Sequence, residues 1–162
     1  MLNYDVLLKS ISNKKGITIP HKMLCIDPGE TTGVSMFEDG KPVYFDQLPT
    51  ISKKGELNWE VVTDLFDRTK PDVVVCENYR IYAHKLEQHS SSSVPTLRLI
   101  GGIDLICHQL NIPIKYQMAL QAKGFVTDDK LKHWNMWEVG MKHCRDSLRH
   151  GVYYLVSLKP TK

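Results

Sequence analysis

A continuous apolar run, Met23-Leu24-Cys25-Ile26, stops on Asp27 and is followed at once by Pro28-Gly29. This predicts a strand over 23–27 that ends on a carboxylate and turns sharply. Val34 and Met36 alternate with Ser35 and Phe37, so a second strand is expected over 33–37. Asp39-Gly40 supplies the positive φ angles of a tight hairpin, and a third strand returns over 43–48. That spacing gives a three-stranded antiparallel meander. Trp59, Val62, Leu65 and Phe66 recur with helical period within 57–69, and Lys70-Pro71-Asp72 closes that helix. Residues 72–77 are nearly all apolar, as befits a central strand covered on both faces, and end on Glu77. The stretch 79–93 reads as irregular, its serine run arguing for flexibility. A helix is expected over 95–110, with Leu97, Ile100, Ile103 and Ile106 or Cys107 as its apolar face. A short strand over 114–116 and helices over 128–139 and 142–158 complete the chain. Residues 1–21 read as an N-terminal extension, with Leu2, Val6 and Leu7 as the apolar face of a short helix that stops near Gly16. The order β-β-β-α-β-α-β-α-α predicts an α/β domain over 22–162. It is a mixed five-stranded sheet, three antiparallel strands and then parallel ones, with helices on both faces.

Composition narrows the class without choosing the function. The 162 residues suffice for one domain with a full core, and 42% hydrophobic with 24% charged content is that of an ordinary globular protein. No apolar stretch approaches the roughly 20 residues that span a bilayer. The N-terminus lacks a signal-peptide profile, so a cytoplasmic protein is expected. A net charge of +3 permits a nucleic-acid partner but does not demand one. The basic clusters Lys14-Lys15, Lys53-Lys54, Lys130 with Lys132, and Arg145 with Arg149 read individually as solvated surface. The four cysteines have no CxxC spacing, which argues against zinc, and Cys25 and Cys76, inside apolar strands, read as buried free thiols.

The candidate chemistry lies at element ends. Asp27 and Glu77 terminate two strands, and His143 and Asp146 stand three apart on one helical face. Each alone is most simply a turn, a strand terminus or an exposed helix face. Together, three carboxylates and an imidazole form a hard donor set for divalent metal and phosphodiester chemistry.

In this order the motifs resemble the RNase H-like nuclease superfamily and, within it, the RuvC family of Holliday-junction resolvases. The resemblance is carried by Ile26-Asp27-Pro28-Gly29, by Glu77 at the end of the fourth strand, and by His143-Cys144-Arg145-Asp146-Ser147-Leu148 on a late helix. Gly101-Gly102 ahead of Ile112-Pro113, and Lys123 and Lys130 after the last strand, also match. It implies an RNase H-like fold and a magnesium-dependent endonuclease that resolves four-way DNA junctions by paired symmetric nicks. Asp27, Glu77, His143 and Asp146 would be its catalytic and metal-binding residues, with two Mg2+ ions for which Mn2+ substitutes. Candidate DNA contacts are Tyr79, Arg80, Tyr82, Lys85, Lys123, Lys130 and Lys132. A homodimer is implied, with the Gly101-Gly102 helix as its interface, although packing within the domain explains those glycines equally well. The chain departs from the family in its leading extension and in placing Arg80 where the family has an aromatic, which suits a bacteriophage-encoded relative. The rival within nucleases is an RNase H-like enzyme that cuts flaps or processes RNA. Asp27-Pro28-Gly29-Glu30-Thr31-Thr32-Gly33 also resembles the phosphate loop of actin-like ATPases, but those need two such domains. A binding protein without catalysis fits poorly with an intact acidic set.

Overall fold

The computed structural model describes residues 1–79 and 93–160. Its strands are β1 (Lys22–Asp27), β2 (Thr31–Glu38), β3 (Lys41–Pro49), β4 (Val73–Glu77) and β5 (Ile114–Gln117). They form one sheet in the order β3-β2-β1-β4-β5. The β1–β2 and β2–β3 pairs are antiparallel, and β1–β4 and β4–β5 are parallel. The expected mixed α/β sheet is therefore the one observed.

Strand alternation decides which face each side chain enters. In β1, Met23 and Cys25 join one core while Leu24 and Ile26 join the other; in β4, Val73 and Val75 oppose Val74 and Cys76. The first core is closed by α1 (Tyr4–Ser12) and by Leu148, Val152 and Leu155 of α6 (Lys142–Ser157). The second is closed by Val62, Leu65 and Phe66 of α2 (Trp59–Thr69) and by Leu99, Ile103 and Cys107 of α3 (Ser93–Gln109). Burying one such side chain contributes about 1.5–3 kcal/mol. The same parity carries Asp27 and Glu77 to the α6 side of the sheet. Helix α6 lies close there because two contact positions lack a side chain. A Cβ at Gly33 would collide with the His143 carbonyl, and one at Gly151 with the Phe37 ring.

Several elements differ from expectation. α4 (Ala119–Phe125) was not foreseen: it has two turns, and Ala122 is its one buried residue, so it shows no apolar period. The helix expected over 128–139 is α5 (Asp128–His133), ended by Trp134 at its C-cap and by Asn135, whose φ is 57°. In α1 the buried face is Tyr4, Leu8 and Ile11, whereas Leu2 and Val6 are exposed. Tyr4 donates to the Gly40 carbonyl at 2.6 Å and the Trp134 indole donates to the Leu2 carbonyl at 2.9 Å, tying residues 1–12 into the domain. Leu97 was placed on the inner face of α3 but is 38% exposed; Leu99 takes that place.

Candidate metal centre

Asp27 is 7% exposed at the end of β1. The α6 N-terminus reaches it from β2 and β3: the His143 backbone N–H donates to Gln47 Oε1 at 2.9 Å, and His143 Nδ1 donates to Asp27 Oδ2 at 2.8 Å. Burial raises the Asp27 carboxyl above its ordinary range, the His143 hydrogen bond opposes that, and the charges of Glu77 and Asp146 raise it further. Those two charges register at Asp27 because all three carboxylates share one end of the sheet. The same hydrogen bond raises the pKa of His143 against the lowering effect of its partial burial.

Each of the other carboxylates is also held from α6. Glu77 Oε2 accepts from His150 Nε2 at 2.8 Å, and His150 Nδ1 lies 2.9 Å from the Gln117 amide on β5. Asp146 is 4% exposed, and its Oδ1 accepts from Arg149 Nη1 at 2.6 Å. Its Oδ2 pairs with Lys123 of α4 at 3.0 Å. Arg149 also donates through Nε to the Val126 carbonyl at 3.0 Å and through Nη2 to Asp128.

The four sequence-predicted catalytic residues thus meet at one end of the sheet, but each acid faces a nitrogen of the protein. Among the described residues no three His, Cys, Asp or Glu side chains enclose a metal position. The donor set nevertheless fits a hard divalent ion. No hydrogen bond from a described residue reaches Asp27 Oδ1 or Glu77 Oε1. Among the described residues Asp146 Oδ2 is met only by Lys123, whose side chain is 45% exposed.

Two clefts flank these acids, and Lys123 lines both. One, of about 440 Å³, is bordered by Asp146, Lys142, Arg145 and Arg149; the other, of about 380 Å³, by Glu77, Tyr79, Met118 and Leu120. Of the expected DNA contacts, Lys130 lies over the Phe125 ring at 4.1 Å and Lys132 over Trp137 at 4.8 Å. Arg80, Tyr82 and Lys85 lie outside the described residues. Arg149, grouped with Arg145 as solvated surface, is buried at 6% exposure because it bridges Asp146 and Asp128. His150 and Gln117 were missed altogether. Their spacing of three and four from Asp146 on one helix was the signal that could have found Arg149 and His150.

No protein-family model and no curated protein matches the sequence. Solved structures do match. RuvC of T. thermophilus, in complex with a Holliday junction substrate, superposes with a TM-score of 0.64 at 14% identity, over 86% of this chain and 99% of that one. The same bacterium's RuvC in another structure gives 0.61 at 15% identity over the same shares. The fold is that of RuvC. The yeast mitochondrial Holliday junction resolvase Ydc2 shares it, with a TM-score of 0.57 at 14% identity over 93% of this chain and 84% of that one. Within this RuvC fold, Gly102 is explained by the domain's own packing, since a Cβ there would collide with Trp59 of α2, while the space over Gly101 is open.

Proposed function

We propose that this protein is a metal-dependent endodeoxyribonuclease that resolves four-way DNA junctions by paired nicks. The observation that carries the reading is the placement of Asp27 and Glu77 at the adjacent ends of β1 and β4, each bonded to a histidine of α6, with Asp146 on that helix between the two histidines. The resolvases that share its fold lend further support. Asp27, Glu77 and Asp146 would hold Mg2+, two ions as the resemblance implies, and Mn2+ would substitute. Bound divalent ions supply a nucleophilic water and stabilise the leaving alkoxide in phosphodiester hydrolysis. The remaining work belongs to the chain. His143 fixes one oxygen of Asp27 and leaves Nε2 for an ion or the attacking water. Lys123 would bind backbone phosphate beside the acids, and Lys130 and Lys132 of α5 would extend that contact along the DNA, a salt-sensitive and sequence-independent contribution. Tyr79, lining the cleft with Glu77, offers a ring for an unpaired base at the branch.

A four-way junction presents two symmetric strands, which suits a two-fold dimer. The exposed face of α3 would form it: Leu97, the open Gly101 and Leu105, 56% exposed, stand four residues apart along one side.

The test is cleavage of synthetic four-way, three-way, flap and RNA–DNA substrates with Mg2+. Paired symmetric nicks confined to branched DNA are expected, and Asp27→Asn should abolish cutting while junction binding persists. Preference for RNA or flaps would instead favour a processing nuclease. Normal cutting by Asp27→Asn would remove the metal centre from its place at β1.

A further inference from the structure

We infer that His150 is a positioning residue for Glu77: a neutral imidazole that fixes one carboxylate oxygen and leaves the other for a cation. The inference rests on the metal-binding reading of Glu77. His150 is 1% exposed, and both of its ring nitrogens are engaged by neighbouring strands. The strands are in register there, Glu77 of β4 pairing with Gln117 of β5, so one imidazole on α6 spans the pair.

The tautomer follows from the Gln117 amide. Two backbone groups of α6 orient it. The His150 carbonyl can only accept and the Tyr154 N–H can only donate. We therefore assign the amide with its nitrogen 3.2 Å from the His150 carbonyl and its oxygen 3.3 Å from the Tyr154 nitrogen. In that orientation the amide donates to His150 Nδ1 at 2.9 Å. Nδ1 is then the acceptor, the ring proton sits on Nε2, and Nε2–H donates to Glu77 Oε2 at 2.8 Å. A histidine that merely filled the core would need only satisfied nitrogens. This one spends its single proton on a carboxylate at the sheet end, and a glutamine with no other described side-chain partner enforces the choice.

The consequence is a carboxylate whose rotamer is fixed before a metal arrives and which, among the described residues, makes no ion pair with a lysine or arginine. Outer-shell donors of this kind typically change metal affinity ten- to hundredfold when removed.

Two measurements test it. Nitrogen NMR of the labelled, metal-free chain should show His150 protonated on Nε2 alone; a proton on Nδ1 would overturn the inference whatever the variants do. Calorimetric titration with Mn2+ alone, without DNA, should show His150→Leu binding about ten- to hundredfold more weakly, and His150→Gln, which can keep an N–H near the Nε2 position, within about threefold of the parent. Circular dichroism would confirm that both variants are folded. Parental Mn2+ affinity in His150→Leu would overturn the positioning role and leave the metal centre standing. A parent chain that binds no Mn2+ would overturn the metal centre and this inference together.

Discussion

The two flanks of the acidic site are built from adjacent residues of one helix, yet they treat charge in opposite ways. On one flank Arg149 and Lys123 place two cations on the two oxygens of Asp146. On the other, His150 gives Glu77 a single uncharged donor, itself oriented by an uncharged amide. Buried charge is tolerated only when paired and hydrogen-bonded, and the Asp146 side chain is 5% exposed whereas that of Glu77 is 19% exposed. The deeper acid therefore receives the guanidinium, and the shallower one an imidazole. Neutral support preserves attraction for an incoming ion, whereas cationic support fixes the acid at the expense of that attraction.

The largest expected effect breaks the charged flank. Arg149→Leu would leave Asp146 Oδ1 and the Val126 carbonyl buried without their donor, with only the half-exposed Lys123 still paired to that acid. A loss of about 3–5 kcal/mol in stability is expected. His150→Leu removes hydrogen bonds but no charge and should lose about 1–3 kcal/mol. Urea denaturation of both variants in chelator measures the difference. Equal losses would mean that the two flanks are not distinguished by charge.

A smaller change sharpens the comparison. Lys123→Met removes the exposed cation from Asp146 Oδ2 while Arg149 keeps Oδ1. Because the lysine is half in solvent, stability should change by less than about 1 kcal/mol. Mn2+ binding should tighten, since one competing charge has gone, while junction cutting falls through loss of a phosphate contact. Weaker Mn2+ binding in this variant would show that Lys123 holds Asp146 in place rather than competing for it.

These contrasts were only partly legible in the sequence. The continuous apolar runs that stop on Asp27 and Glu77 were enough to predict two strands each ending on an acid, and helical spacing placed His143 and Asp146 together. The partners of the acids were hidden for a physical reason. A side chain's role depends on what lies across the interface, and no local pattern says that Arg149 faces Asp128 or that Gln117 pairs in register with Glu77. Arg149 reads as surface because arginine usually is. The two-turn α4 was invisible because it buries a single alanine, yet it delivers Lys123 to the site. α1 showed its period with the wrong face because Tyr4, not Leu2, was the residue that packs.

Between the flanks lies the third pair, Asp27 with His143, and there the proton decides. Both groups are raised from their ordinary values of 3.8 and 6.5, Asp27 by burial and His143 by its hydrogen bond to Asp27. The native chain therefore binds more protons than the unfolded chain wherever pH lies between those ordinary values and the raised ones. Stability then falls with rising pH. The His143 contribution is present in full below its ordinary value and is lost as pH climbs through the raised one; the Asp27 contribution has the same sign. Urea midpoints in chelator, taken from about pH 5.5 to 8.5, should decline across the neutral range. His143→Gln should flatten that decline. The amplitude is expected below about 1 kcal/mol, because the His143 side chain is 41% exposed and its charge is screened. Adding Mn2+ should reverse the slope, since an ion on Asp27 would displace the proton that the pair otherwise holds. A slope that keeps its sign in Mn2+ would show that the cation does not reach Asp27.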